Sequence, residues 1–167
     1  MKVRVVHPWP PVYDARSRIL ILGTMPSPKS REYGGYYGNP QNCFWATLAR
    51  TLALEEPAPD MPRRAEFLLN NRIALWDVLR SCEIDGAADG SIAAPVANRF
   101  APLLEKTQIY RIFTTGRAAT DLFNALCRAE AGIAAEYLPS TSPANRAAQS
   151  RPAFMERWGL VAEALQI

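Results

Sequence analysis

Ser17–Leu22 reads SRILIL, a nearly unbroken apolar run that stops at Gly23. Two runs of the same kind follow, IALWDV at Ile73–Val78 and IYRIFT at Ile109–Thr114, with a shorter one at Glu136–Leu138. Each has the length of a strand, and apolar residues at consecutive positions require burial on both faces. A strand buried on both faces needs cover on both sides, and the intervening segments offer helices. Phe44, Trp45, Leu48 and Leu52 recur at helical spacing within 41–54. Helices are also predicted over 63–70, over 98–106 with Asn98 as candidate cap, over 116–131 and over 149–165. Glu55–Pro62 reads as a proline-rich connector, and 80–95 as an irregular excursion. Strands alternating with helices predict an α/β fold with a mainly parallel central sheet of four strands.

The 167 residues suit one domain with a sizeable core, spanning 1–167. A formal charge of +3 is too small to identify an anionic partner by itself. Cys43, Cys82 and Cys127 are far apart and form no CxxC pair, so they read as reduced thiols rather than metal ligands. That usage fits a reducing cytoplasm, and the chain is read as cytoplasmic. No apolar run approaches the ~18 residues of a membrane span. The N-terminal MKVRVVHPWPP is broken by Pro8, Pro10 and Pro11 and does not read as a signal peptide. Nothing points to an obligate oligomer, so a monomer is expected.

In parallel sheets, ligands bind outside the carboxyl ends of the strands. Two regions of unusual chemistry fall there: GTMPSPKS with the following GYYGNPQN, and PSTSPAN at Pro139–Asn145. Lys29-Ser30 hints at a phosphate loop, but Pro26 and Pro28 remove two backbone donors and exclude it. His7 is the only histidine and reads as a surface or packing residue, so neither a metal site nor a histidine-activated nucleophile is expected in the loops. What remains is a site of amides, hydroxyls and aromatics. Such a site can grip a flat heterocycle, as a flipped nucleobase requires.

These segments resemble the uracil-DNA glycosylase superfamily. The resemblance rests on Gly23-Thr24-Met25-Pro26-Ser27, on Tyr36–Trp45 (YYGNPQNCFW) and on Leu138–Asn145 (LPSTSPAN). IALWDVLRSCE at Ile73–Glu83 and IFTTGRA at Ile112–Ala118 look like the hypoxanthine-DNA glycosylase branch (deoxyinosine glycosylases, family 6). The resemblance spans nearly the whole chain. It implies a three-layer α/β/α sandwich and a monofunctional enzyme of base-excision repair, without metal or organic cofactor. Its partner would be DNA containing deaminated bases: hypoxanthine first, uracil second, xanthine third. Other branches carry a water-positioning Asn or Asp after the first strand; Met25 stands there and cannot serve. In the hypoxanthine branch that role falls on the asparagine of the PQN segment, Asn42 here. Cys43 replaces a usual Arg, and Asn39 a more frequent His.

Asn42 is therefore the first catalytic candidate and Asn39 the second. Asn42 is also well placed to cap a helix, and Asn39 to make a turn. Gly23, Thr24, Met25, Tyr37 and Phe44 are candidates for base binding, although an aromatic at Phe44 suits the core equally. Ser27, Lys29, Ser140, Ser142, Asn145 and Arg146 are candidates for DNA contact, against caps, turns and surface charge. Asp77 reads either as a partner for a polar group near the site or as a loop anchor. A uracil or G/U-mismatch glycosylase, and a non-catalytic nucleic-acid-binding module on the same fold, are the two alternatives.

Overall fold

A computed structural model describes residues 1–166. The strands are β1 (Val3–Val6), β2 (Ile19–Gly23), β3 (Ile73–Asp77), β4 (Leu79–Ile84), β5 (Ala93–Ala97), β6 (Arg111–Thr115) and β7 (Ala135–Leu138). The helices are α1 (Pro28–Tyr33), α2 (Phe44–Thr51), α3 (Met61–Asn70), α4 (Ala101–Glu105), α5 (Arg117–Leu126), α6 (Arg128–Ala131), α7 (Arg146–Gln149) and α8 (Pro152–Leu165). The central sheet has the order β3-β2-β6-β7, and each of its pairings is parallel. It contains the four apolar runs, so the expected α/β class and sheet are present.

Consecutive residues of the buried strands serve opposite faces. Ile19, Ile21, Ile73, Leu75 and Phe113 pack with Phe44, Trp45 and Leu48 of α2, Leu68 of α3, and Phe154 and Trp158 of α8. Leu20, Leu22, Ala74 and Ile112 face the other way, toward Phe100, Leu103 of α4, and Ala119 and Phe123 of α5. That second core also takes in Val5, Leu79, Cys82 and Ile84. These come from a second sheet of order β1-β4-β5, antiparallel throughout.

This small sheet corrects the reading of 80–95 as irregular. β4 interrupts its buried residues with exposed Arg80 and Glu83, and β5 is mostly exposed, with register shifts against β4. Neither shows the continuous apolar run of the central strands. Three helix boundaries also differ. Asn98 does not cap α4; its amide donates to the Asp77 carbonyl oxygen (2.9 Å), and the Glu130 carboxylate takes the amides of Phe100 and Ala101 instead. The helix expected over 116–131 breaks at Cys127 into α5 and α6. The closing helix starts at Pro152, after the separate turn of α7.

Candidate active site

β2, β3 and β6 end side by side, and their last residues form the floor of the site. Gly23 is paired in register with Asp77. Beside them, Thr115 donates its hydroxyl to the Leu22 carbonyl oxygen (3.4 Å). Above this floor lies a cavity of about 320 Å³. That is the low end of small-ligand pockets, suited to one heterocycle rather than a dinucleotide. The loops after β2 and β7 wall it, as the sequence suggested, through Gly23–Ser27, Tyr36, Tyr37, Asn39, Asn42 and Ser140–Ala144.

Gly23 is dictated by space. A Cβ there would lie 2.5 Å from Asp77 Oδ1 and 2.7 Å from the Tyr37 hydroxyl. Tyr37 is held from two directions. Its ring stacks on Phe44 (centroids 3.9 Å apart, planes at 5°), and its hydroxyl lies 3.1 Å from Thr115 Oγ1. Either hydroxyl can be the donor in that contact. Its backbone is left-handed (φ 51°), a strained conformation for tyrosine that these contacts stabilise. Phe44 is fully buried and does not line the cavity. The expected stacking surface at Phe44 is therefore displaced by one layer: Phe44 braces Tyr37, and Tyr37 faces the cavity. An aromatic in the first turn of α2 points into the core between sheet and helix, so the alternative core reading holds for Phe44.

Asn39 and Asn42 both reach the cavity. Each uses its Oδ1 locally. Asn42 accepts from the Phe44 amide (2.9 Å) at the start of α2, and Asn39 accepts from the Gln41 amide (3.1 Å). The structural roles weighed for both residues are thus present. They leave each Nδ2 without a protein partner among the described residues, and each Oδ1 with a second lone pair. Cys43 ties the walls together: its amide donates to the Thr141 carbonyl oxygen (3.1 Å), and its Sγ lies 3.6 Å from the same atom.

The candidate DNA contacts divide. Ser27, Ser140 and Ser142 line the cavity; Lys29, Asn145 and Arg146 do not. Ser27 caps α1 through the Ser30 amide (3.1 Å). Ser30 Oγ also lies 3.4 Å from the Asn39 amide, joining the first loop to the second. Asn145 turns back to donate to the Ser140 carbonyl oxygen (3.0 Å), and Gln149 donates to the Ser140 and Ser142 carbonyl oxygens. Arg146 is exposed and lies 3.4 Å from the Gln41 carbonyl oxygen, across the mouth from its own loop. Lys29 is exposed in the first turn of α1.

Two carboxylates also line the cavity, Asp77 and Asp89. The Asp77 side chain is almost wholly buried, and its Oδ2 lies 2.7 Å from His7 Nε2, equally buried. A backbone N–H can only donate, so the Trp9 amide, 3.2 Å from His7 Nδ1, fixes that nitrogen as acceptor. Nε2 therefore carries the proton and donates to Asp77. This overturns the reading of His7 as a residue apart from the loop chemistry. The pairing spans seventy positions, which local pattern cannot show. Asp77 gave one usable signal, a carboxylate closing an otherwise apolar strand. Burial first, and the Asp77 charge second, push the Tyr36 and Tyr37 hydroxyls well above the usual phenol range. The same two causes raise the Asp89 carboxyl, although Asp89 is an exposed residue on the rim.

Among the described residues no cluster of His, Cys, Asp and Glu could hold a metal ion, and no helix is long and apolar enough to cross a membrane. Residues 10–161 match the family model for the uracil DNA glycosylase superfamily. A hypoxanthine DNA glycosylase of Methanosarcina acetivorans is 37% identical over 141 residues, covering 83% of this chain and 87% of that protein. A protein of the same description from Methanosarcina barkeri is 31% identical over 138 residues, with the same coverage. The solution NMR structure of a protein described as a uracil DNA glycosylase from Methanosarcina acetivorans superposes with a TM-score of 0.80 at 32% identity, covering 99% of this chain and all of that one. The cavity at the ends of β2, β3 and β6, the three loop motifs around it and these matches lead to one conclusion: the chain belongs to the uracil-DNA glycosylase superfamily.

Proposed function

We propose that the protein is a monofunctional DNA glycosylase that flips a deaminated base out of DNA and hydrolyses its N-glycosidic bond, with hypoxanthine as the main substrate. The observation that carries this reading is the cavity itself. It offers one aromatic face, Tyr37 backed by Phe44, together with the side-chain amides of Asn39 and Asn42. That suits a single flat base carrying carbonyl and ring-nitrogen groups. The likeness to two hypoxanthine DNA glycosylases directs the choice among bases.

The reaction follows from what the walls provide. Among the described residues the cavity lining offers amides and hydroxyls rather than an amine, and water is taken as the nucleophile. Asn42, with Asn39 as second candidate, holds that water through the free lone pair of its Oδ1 while the amide nitrogen donates to the base. As the bond to the base breaks, positive charge develops on the deoxyribose. The phosphates of the DNA itself and the fixed dipoles of the loops stabilise that charge. The product is free base and an abasic site.

The test is base release from labelled duplexes carrying one hypoxanthine, uracil or xanthine, read after alkaline cleavage. Hypoxanthine release is expected, falling about 10²-fold or more in Asn42→Ala if that residue positions the water. Release dominated by uracil is the outcome favoured by the solved relative's description, and it would keep the chemistry while changing the substrate. Binding without release from any lesion would reduce the protein to a nucleic-acid-binding module and overturn the proposal.

A further inference from the structure

The second carboxylate of the cavity, Asp89, stands on a wall of its own. The loop that joins β4 to β5 brings Gly86, Ala87 and Asp89 to the cavity. It is knit from within. Ser91 Oγ accepts the Asp85 amide (2.8 Å) and donates to the Ala88 carbonyl oxygen (2.6 Å), and the Ala88 amide donates to the Asp85 carbonyl oxygen (3.1 Å). β4 follows directly on β3, at one edge of the central sheet, whereas Ser140–Ala144 follow β7 at the other. The Asp89 carboxylate has no hydrogen-bond or ion-pair partner among the described residues. Its charge is felt inside the wall. After burial, it is the next cause that raises the Cys82 thiol, and behind burial and Asp77 it adds to the rise at Tyr37. A lone anion at the mouth of a cavity that takes DNA repels the phosphates and weakens binding. It is favourable only where positive charge appears beside it.

We infer that Asp89 is a catalytic residue: its carboxylate stabilises the positive charge that develops at C1′ of the flipped deoxyribose as the base departs. This rests on the glycosylase reading above. A base seated on the floor at the ends of β2, β3 and β6 leaves its sugar at the mouth, level with the rim that carries Asp89. Asp77 lies on the floor and is already engaged by His7, so the rim carboxylate is the one near the sugar. In the step, the bond between C1′ and the base breaks, and its electron pair leaves with the base. The sugar is left as an oxocarbenium cation shared between C1′ and O4′. Water then bonds to C1′, and one of its protons ends on the released base. Asp89 forms no covalent bond and takes no proton; its charge alone acts. The neutral sugar of the bound substrate gains little from that charge, while the phosphates are repelled by it. The carboxylate therefore favours the transition state over the bound state. Burial and the Asp77 charge raise the Asp89 carboxyl, and a cation beside it pulls the other way.

The experiment measures binding and base release on the same proteins. Two duplexes without a scissile base are compared. One carries a pyrrolidine nucleotide with a protonated nitrogen at the C1′ position, the other a neutral tetrahydrofuran nucleotide. The wild type is expected to bind the cationic duplex about 10-fold tighter or more, and Asp89→Asn to bind the two alike. Single-turnover release of hypoxanthine falls about 10²-fold in Asp89→Asn, while its affinity for undamaged duplex is unchanged or tighter. Asp89→Glu, which keeps the charge, retains part of both the preference and the rate. Asp85→Asn removes a charge from the same loop outside the cavity, and leaves preference and rate as in the wild type. If Asp89 only shaped the loop, release would fall in Asp89→Asn with the cationic preference intact, which overturns the inference. Equal losses in Asp85→Asn and Asp89→Asn overturn it as well, since the charge of the loop alone then accounts for them. A wild type that releases hypoxanthine yet binds both duplexes alike overturns it without requiring any variant to fold. Absence of hypoxanthine release from the wild type would instead strike the glycosylase reading itself.

Discussion

At the scale of single residues, the site is set by what is missing as much as by what is present. Gly23 has no side chain because Asp77 and Tyr37 occupy the space. Gly23→Ala is expected to force both apart, lowering stability by about 1–3 kcal/mol. Base release should fall further than the thermal shift alone explains; a melting curve beside single-turnover kinetics checks this. Much of this residue-level chemistry was legible. Turn-rich patterns place the loops carrying Thr24, Met25, Tyr37, Asn39 and Asn42 at the ends of the strands, the resemblance singles out these residues within them, and all five line the cavity. Phe44 is ambiguous in the sequence, since burial and ligand stacking demand the same aromatic side chain; it lies in the core. The packing of His7 is legible, but its pairing with Asp77 is not, because the partner lies far away in the chain and no period links the two.

At the scale of elements, the beginning of α2 is where fold and function are hardest to separate. Asn42 Oδ1 satisfies the Phe44 amide, one of the unpaired donors at a helix start. Asn42→Ala removes both that bond and the cavity amide, so a loss of activity is ambiguous by itself. Asn42→Asp separates them. The carboxylate still accepts from Phe44, so stability should remain within about 0.5 kcal/mol of the wild type, whereas Asn42→Ala costs about 1 kcal/mol. Base release should be lost in Asn42→Ala, whereas Asn42→Asp, whose carboxylate still accepts from the water, should lose only the part owed to the amide nitrogen. Recovery of full activity with stability in Asn42→Asp would leave the amide nitrogen without a role. The central strands were legible because continuous apolar runs have few other uses. β1, β4 and β5 are not legible: they belong to a partly exposed antiparallel sheet whose apolar runs are broken by Arg4, by Arg80 and Glu83, and by Pro95. The start of α1 falls in GTMPSPKS, whose turn-rich pattern reads as a loop, although Pro28 sits in the first helical turn, where proline is favoured.

At the scale of the whole molecule, a mildly basic chain surrounds a cavity whose own charged groups are acidic. DNA must therefore be attracted by residues outside the cavity. Lys29 and Arg146 are exposed near its mouth. Replacing either with Ala should reduce the slope of log affinity against log salt by about 1 and weaken binding to damaged and undamaged duplex alike, measured by fluorescence anisotropy. The rate of base release from the bound complex should stay unchanged. The small sheet contributes in a different way. β1 has one buried residue in four and bonds to β4 alone, yet the segment that continues it carries His7 to Asp77. Fraying of so short an edge strand needs far less free energy than global unfolding. Each opening withdraws His7 while the parallel sheet stays intact. The setting of Asp77 on the cavity floor is then governed by a local equilibrium at this edge strand, which is expected to shift on warming before the core melts.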